Sequence, residues 1–424
     1  MLVTMLTAGS RGDTQPYIAL GLALQAVGGY TVRIAAAENF ESFVKGFGLE
    51  FYPLPGDISK LIEDPRVQKA MKADTPLKII MSFLKSDASL QSYALERQQN
   101  YYDACQGSDA IVYHPGAAVG YFIARALKIP SIFATPFPMT PTRNYPALIF
   151  YDAVRLGKTA NLLTHLIFER IMWETSRGPA KQFWTQKFGD ISLNFANPFR
   201  KQRTQNAPTL VSCSNYVFPQ PSDWPEHVHN TGYWFLDEAD DWQPPTELED
   251  FLQQGSPPIY IGFGSLIDPG KAKQTTELTI NALERSGQRG VLAMGWGGIV
   301  KPDTVPDNIF ILESAPHAWL FPRMSAVVHH GGAGTTAAGL RAGVPSIIIP
   351  HANDQFAWGR RVWELGVGPK PIIKTQLSVE NLCAAITHAL TPEIKQAAKV
   401  LGEKIQSENG AETAAKIIVR CLEG

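Results

Sequence analysis

Three short stretches carry side chains whose types and spacing could do chemistry. The first is Gly9-Ser10-Arg11-Gly12-Asp13-Thr14-Gln15-Pro16, which follows the apolar run Leu2–Ala8. A glycine-rich turn after a strand lets backbone N–H groups approach a ligand, and the helix that follows turns its positive end to the same place. Ser10 and Gly12 are therefore candidate contacts for a diphosphate. Asp13 lies where a strand-end loop meets a helix, the normal place for a site in an α/β sheet. Its plain structural role is to cap that helix. Its chemical role would be to take a proton from a hydroxyl group. Free aspartate titrates at about pH 4 and is a weak base. It would act only because the hydroxyl becomes acidic as its new bond forms, in a site poor in water. A dinucleotide fingerprint would need G-x-G-x-x-G and an acidic residue further on, a place Glu38 could fill. Here the glycines are spaced G-x-x-G and no third glycine opens the helix. NAD-dependent redox chemistry is thus a distant alternative.

The second stretch is His329-His330-Gly331-Gly332-Ala333-Gly334-Thr335-Thr336. An apolar strand ends in two histidines, glycines open the backbone, and two hydroxyl residues begin a helix. Adjacent strand residues face opposite sides, so the two histidines should not share a metal. Open N–H groups, a helix N-terminus and threonine donors together make a cradle for a diphosphate. A histidine beside it could donate a hydrogen bond, or a charge, to the leaving phosphate. The structural alternative is a capped helix after a buried strand. The third stretch, His351-Ala352-Asn353-Asp354-Gln355, follows Gly343-Val344-Pro345 and the run Ser346–Pro350. Its amide and carboxylate groups offer paired donors and acceptors that suit sugar hydroxyls, although Asn-Asp is also ordinary loop and capping chemistry.

These stretches need a frame, and the rest of the chain supplies an alternating one. Predicted strands at 2–8, 31–36, 110–113 and 131–134 alternate with helices at 16–27 and 40–46, the first of them capped by Asp13 or Thr14. A second series runs from a strand at 259–263 through helix 275–286, strands 291–294 and 326–330, helix 335–342 and strand 346–350. Helices over 379–390 and 393–422 end the chain. This is the pattern of an α/β protein with parallel sheets, in two Rossmann-like units facing a central cleft. The boundaries expected are 1–236, an acidic linker over 237–255 containing Pro244-Pro245, 256–400, and a final helix over 401–424 that packs back on the first domain. Residues 140–206 are rich in aromatic and long apolar side chains and read as one or two long helices inserted in the first domain. Those side chains are core packing, an apolar acceptor pocket, or a membrane-touching face, and different faces of one helix can serve different ends.

Composition narrows the function. The 424 residues are 45% hydrophobic and 18% charged, with a formal net charge of −1. No dense basic run points to nucleic acid. The cysteines, Cys105, Cys213, Cys383 and Cys421, form no CxxC pair, so neither a disulfide framework nor a zinc site is expected. The N-terminal apolar segment runs into a glycine loop rather than a cleavage site, and no apolar run is long enough to span a bilayer. A cytoplasmic protein with at most a peripheral membrane contact is the expectation.

With these residues in place the chain resembles the glycosyltransferases of the UDP-glucuronosyl/glucosyltransferase superfamily, which have the GT-B fold. It is most similar to sterol 3-β-glucosyltransferases and next to antibiotic-aglycone glycosyltransferases. The resemblance is carried by Gly9–Pro16, Gly262-Phe263-Gly264-Ser265, Ser314–Met324, Val328–Thr336, Gly343–Pro350 and Asp354-Gln355. It implies an acceptor-binding first domain, a nucleotide-sugar-binding second domain, and direct displacement with inversion. Asp13 would be the base and His114 would orient it, unless His114 is merely a satisfied loop histidine. His330, Gly332, Gly334, Thr335 and Ser265 would bind the diphosphate. Ala315 would meet the base through its backbone, with His317 near the nucleotide and Trp296 stacked on the uracil or, equally well, in the core. Asp354 and Gln355 would hold sugar hydroxyls. No metal and no cofactor are implied beyond a UDP-sugar, UDP-glucose or a relative, as co-substrate. Plant members carry a ribose-binding Glu where this chain has Ala338, so UDP rather than TDP rests on the sterol branch. The acceptor expected is a sterol or similar lipophilic alcohol. The alternatives are a polyketide or macrolide, a carotenoid or a phenol, and, in another class, a noncatalytic module that binds UDP-sugar or lipid.

Overall fold

The computed structural model describes residues 1–56, 88–152, 157–189, 195–237, 242–263, 272–294, 298–351 and 354–423. The chain divides into two compact units, Met1–Leu236 with Glu408–Gly424, and Asp237–Ser407.

The first unit is built on a seven-stranded sheet of β1 (Leu2–Leu6), β2 (Thr31–Ala37), β3 (Glu50–Leu54), β4 (Ala110–Tyr113), β5 (Ser131–Thr135), β6 (Thr209–Val211) and β7 (Val228–Asn230), in the order β3-β2-β1-β4-β5-β6-β7. Its pairings are parallel, with Val3 beside Val32 on one side and Ala110 on the other. A strand covered on both faces reads as a continuous apolar run, and Val3, Met5 and Leu6 are wholly buried. The helices are α1 (Arg11–Gly28), α2 (Glu41–Gly46), α3 (Ala88–Ala104), α4 (Gly120–Leu127), α5 (Lys158–Phe188) and α6 (Pro198–Thr204).

Helix α1 begins earlier than the sequence pattern suggested. Ser10 is its N-cap, and Asp13 sits inside the first turn rather than capping it. The Asp13 carboxylate reaches back to accept from the Ser10 N–H at 2.7 Å and its hydroxyl at 3.1 Å, the acid half of a capping box. That bond stabilises the extra turn and leaves Pro16 inside the helix.

The insertion is one helix of 31 residues, α5, followed by the short α6. Asn161, His165, Phe168, Glu169, Trp173, Ala180, Phe183 and Trp184 recur at three- and four-residue spacing and form its buried face. Trp173 stacks on Phe122 with ring centroids 5.3 Å apart, so this face is core. Glu169 and Arg203 form a forked ion pair between α5 and α6, with the Arg203 Nη2 donating to Glu169 Oε2 at 3.0 Å. Burial pushes the Glu169 carboxyl up, against the pull of Arg203. Removing the guanidinium alone strands a buried acid. Arg203→Ala is therefore expected to destabilise the unit by about 3–5 kcal/mol, checked by urea unfolding, whereas an exposed change such as Arg177→Ala should be nearly silent.

The second unit carries five parallel strands, β8 (Ile259–Gly262), β9 (Gly290–Ala293), β10 (Ile309–Leu312), β11 (Ala326–His329) and β12 (Ser346–Ile348), in the order β10-β9-β8-β11-β12. Its helices are α7 (Thr246–Gln253), α8 (Ala272–Arg285), α9 (His317–Leu320), α10 (Ala333–Arg341), α11 (Gln355–Glu364), α12 (Val379–Ala389) and α13 (Pro392–Gln406). The stretch read as a linker is not free chain throughout. Residues 238–241 lie outside the described residues. Trp242 packs on Trp319 at 5.0 Å, and α7 buries Leu248 and Phe251 in the second core. Asp237 accepts from Arg341 at 2.6 Å.

The last helix, α14 (Gly410–Glu423), belongs to the first unit, where Ala414, Ala415, Ile417 and Ile418 share a core with Tyr17, Ile18, Leu20 and Leu24 of α1. A glycine is required where it arrives: a Cβ at Gly410 would lie 2.3 Å from the Tyr233 carbonyl oxygen.

Candidate functional site

In each sheet the strand order reverses once about a neighbouring pair, between β1 and β4 in the first and between β8 and β11 in the second. Loops leaving such a pair at their C-terminal ends diverge and open a crevice. Both glycine-rich stretches sit at these points: Gly9–Asp13 follows β1, and His330–Thr335 follows β11.

In the first unit β4 delivers His114 beside Asp13. The His114 Nε2 is 3.5 Å from Asp13 Oδ1, with His114 nearly buried and Asp13 31% exposed. The Gly116 N–H donates to His114 Nδ1 at 3.0 Å. A nitrogen that accepts carries no proton, so neutral His114 holds its hydrogen on Nε2 and turns it toward the carboxylate. The Asp13 carboxylate is thus held on one oxygen by Ser10 and faced on the other by an imidazole N–H. Tyr17 closes the back of the pair. Its ring meets His114 edge-on at 5.9 Å, and its hydroxyl donates to the Ala134 carbonyl at 2.6 Å. Burial, and next the Asp13 charge, push the Tyr17 phenol well above its ordinary range, so it stays a neutral donor. Gly9 makes the loop possible. It has φ of +128°, and a Cβ there would stand 2.1 Å from Asp13 Oδ2.

In the second unit His329 is wholly buried, and its Nδ1 accepts from the Gly331 N–H at 3.1 Å. His330 turns the other way, the two rings 6.4 Å apart and nearly perpendicular. Burial lowers His330 to about 4, and it also holds His329 well below its ordinary value. Both imidazoles are therefore neutral at pH 7, and His330 can offer a hydrogen bond but not a charge. Its ring leans over Gly332 so closely that a Cβ there would lie 2.6 Å from Nε2. Gly332 is the N-cap of α10, and no side chain caps that end. Its first backbone N–H groups, with the positive end of the helix dipole, are open to an anion. The helix starts two residues before the predicted position, which places Gly334 and Thr335 in the first turn. Thr336 is buried.

The remaining predicted residues fall as follows. Ser10 and Gly12 are exposed at the start of α1. Ala315 precedes α9, and His317 opens it, stacked on Phe321 at 4.3 Å and meeting Tyr260 edge-on. Asp354 is the N-cap of α11 and accepts from the Trp358 indole N–H at 2.8 Å. Gln355 is buried, and its side-chain oxygen accepts from the His351 N–H at 2.8 Å, so that oxygen holds the loop after β12. Ser265 and Trp296 lie outside the described residues. Sequence reasoning missed Tyr17, Gly116 and the requirement for glycine at position 9. Only the run His114-Pro115-Gly116 gave a local signal, since a histidine two residues before a glycine can accept from its N–H.

Residues 3–146 match the glycosyltransferase family 28 N-terminal domain, and residues 291–423 match the erythromycin biosynthesis protein CIII-like C-terminal domain. The sterol 3-beta-glucosyltransferase of Arabidopsis thaliana is 37% identical over 99% of this chain and 68% of its own length. That of Emericella nidulans is 38% identical over 99% of this chain. The chain spans only 30% of the length of this fungal relative. Among solved structures, the glycotransferase of kitacinnamycin superposes with a TM-score of 0.72 at 19% identity, covering 99% of both chains. The calicheamicin glycosyltransferase CalG4 gives 0.65 at 16%, covering 99% of this chain and 98% of its own. These likenesses show the GT-B fold, and the sequence relatives show the family. The chain belongs to the sterol 3-beta-glucosyltransferase family of GT-B glycosyltransferases.

Proposed function

We propose that this protein transfers glucose from UDP-glucose to the hydroxyl of a sterol or similar lipophilic alcohol, with inversion at the sugar carbon. The observation that carries the reading is the Asp13–His114 pair, a partly exposed carboxylate faced by an imidazole N–H whose tautomer a backbone N–H sets. In the proposed step the acceptor oxygen attacks the anomeric carbon and its proton passes to Asp13. The bond from that carbon to the diphosphate oxygen breaks, and UDP leaves with the electron pair. His114 is a positioning residue in this scheme. The charge that develops on the diphosphate is met by the open N–H groups of α10, by Thr335 and by a neutral hydrogen bond from His330. The scheme gives no metal or cofactor a role. Asp354 and Gln355 are the candidates for sugar hydroxyls, with the Gln355 side-chain oxygen also holding the loop after β12.

The 37–38% identity to sterol enzymes favours a sterol acceptor over the natural products named by the structural neighbours. The experiment is to incubate the protein with UDP- or TDP-glucose and a panel of cholesterol, ergosterol, phenols and macrolides, with mass-spectrometric detection of products. A sterol glucoside formed from UDP-glucose supports the reading. Transfer only to a phenol or macrolide, transfer from TDP-glucose alone, or UDP-sugar binding with no transfer to any acceptor overturns it. Gly332→Ala serves as a second arm. The added methyl must displace the His330 ring, and UDP affinity measured by calorimetry is expected to fall about tenfold, the equivalent of one lost hydrogen bond of about 1.4 kcal/mol.

A further inference from the structure

We propose that His165 is a positioning residue for the acceptor: it fixes the shape of the loop 136–147, which walls the acceptor site beside Asp13. This role rests on the transfer reaction proposed above. Residues 136–147 leave β5 without regular structure and precede a short turn at Leu148–Phe150. Irregular stretches of about a dozen residues are uncommon within a packed domain and usually serve binding. Strands β4 and β5 run parallel, with Tyr113 beside Phe133, so the loop departs at the edge where His114 follows β4. Tyr17 ties the two together, since its ring meets His114 and its hydroxyl donates to the Ala134 carbonyl. Phe137, Ile149 and Phe150 are only partly buried, and they pack on the same core cluster as Ala8, which precedes Gly9. They supply an apolar lining at this edge of the sheet, suited to a lipophilic alcohol.

Peptide groups outside helix and sheet must find partners elsewhere. Here side chains from two segments supply them. Asn161, Thr164 and His165 share one face of α5 as i, i+3 and i+4 neighbours. Asn161 Nδ2 donates to the Arg143 carbonyl at 3.0 Å, and Thr164 Oγ1 accepts from the Ala147 N–H at 2.9 Å. His165 is wholly buried between two carbonyl oxygens, with Nδ1 3.2 Å from that of Met139 and Nε2 3.0 Å from that of Tyr145. Its ring therefore braces one arm of the loop against the other. From the segment before β7, Trp224 Nε1 donates to the Thr140 carbonyl at 3.3 Å. Asp223 accepts from Thr142 Oγ1 at 2.6 Å and from the Arg143 N–H at 2.7 Å. Pro136, Pro138, Pro141 and Pro146 each fix a further φ angle. A wall so braced is formed before the acceptor arrives, and little ordering cost falls on binding.

The test measures acceptor and donor constants separately. In His165→Ala the KM for cholesterol is expected to rise about tenfold, the equivalent of one lost hydrogen bond. The KM for UDP-glucose, the UDP dissociation constant and kcat at saturating cholesterol should stay within about twofold, because lost acceptor binding appears in the acceptor KM. An asparagine amide reaches about as far as Nδ1 and a glutamine amide about as far as Nε2. His165→Asn and His165→Gln therefore each keep one carbonyl contact and should recover part of the acceptor affinity. A purely structural role would lower the thermal midpoint and leave the acceptor KM unmoved. Asp223→Ala is the second variant. Its side chain is exposed, so the protein should fold, while release of residues 142–143 raises the cholesterol KM by a similar factor. Dehydroergosterol, a fluorescent sterol, separates this role from the reaction. Its binding, read by energy transfer from tryptophan with no donor present, should weaken about tenfold in the same variants. That result without any sugar transfer would overturn the reaction and keep the role of His165. Cholesterol KM and dehydroergosterol affinity within about twofold of wild type in both His165→Ala and Asp223→Ala overturn the proposal. So does an equal rise in the KM for UDP-glucose, or a wild type that binds no sterol.

Discussion

Replacing Asp13 by asparagine is expected to lower kcat by about 100- to 10,000-fold, the usual range for loss of a positioned general base. The amide keeps an oxygen that can accept from the Ser10 N–H, so the first turn of α1 survives. Folding stability should change by no more than about 1 kcal/mol, the scale of a helix-end interaction. UDP affinity should be unchanged, because in the proposed step Asp13 meets the acceptor hydroxyl and not the diphosphate. The informative pattern is a collapse of turnover with the thermal midpoint and UDP binding retained. Turnover within about threefold of wild type would remove Asp13 from the chemistry, since an interaction made only in the transition state appears directly in kcat. The neighbouring Ser10 offers a contrast. Ser10→Ala deletes the hydroxyl that meets Asp13 at 3.1 Å but leaves the backbone N–H at 2.7 Å, so its effect on turnover should be far smaller.

Acid is expected to unfold both units, through imidazoles that burial keeps neutral. His165 and His330 are each drawn down to about 4. At His165 burial dominates, although the carbonyl oxygens of Tyr145 and Met139 face its ring nitrogens at 3.0 and 3.2 Å and pull the other way. In the unfolded chain a histidine takes up a proton at about pH 6.5. Between that value and about 4 the unfolded state binds more protons than the folded one, so stability rises with pH across the window. The stabilisation is fully present above about pH 6.5 and is lost as pH falls toward 4, by roughly 3 kcal/mol for each of the two residues. His227 and His229 are shifted in the same direction by burial and contribute with the same sign. Urea titrations at several values between pH 7.5 and 4 check this. His165→Gln should flatten the dependence of the first unit only. A midpoint that stays level across the window would show that these rings already carry a proton when folded.

Much of the fold is written in local pattern. Apolar runs such as Leu2–Leu6 and Ala326–His329 are buried on both faces, and a parallel strand so placed needs no alternation to be recognised. The start of α1 is obscured in the sequence for a specific reason. Pro16 looks like a first-turn residue, and Asp13 looks like a cap, but the Asp13 bond to Ser10 N–H extends the helix back to Arg11. Residues 140–206 show the converse limit. Composition reveals a long apolar helix, yet the same types of side chain serve as core at Phe168 and Trp173 and as open surface at Leu163 and Ile167. Only the packing of α5 on its neighbours separates the two faces.

By itself the sequence determined the chemistry on offer: a carboxylate at a strand-to-helix loop, a glycine-opened helix end after two histidines, and alternating elements able to carry both. Tertiary structure decided which groups meet. Asp13 and His114 come together because β1 and β4 are neighbours in the sheet while the chain between them winds to its far edge and back. The His114 tautomer is set by the Gly116 N–H, and the neutral state of His330 by the desolvation of its ring. Strand order and burial are properties of the whole packed chain, since they depend on which surfaces are hidden from water together, and no local spacing of residues encodes them.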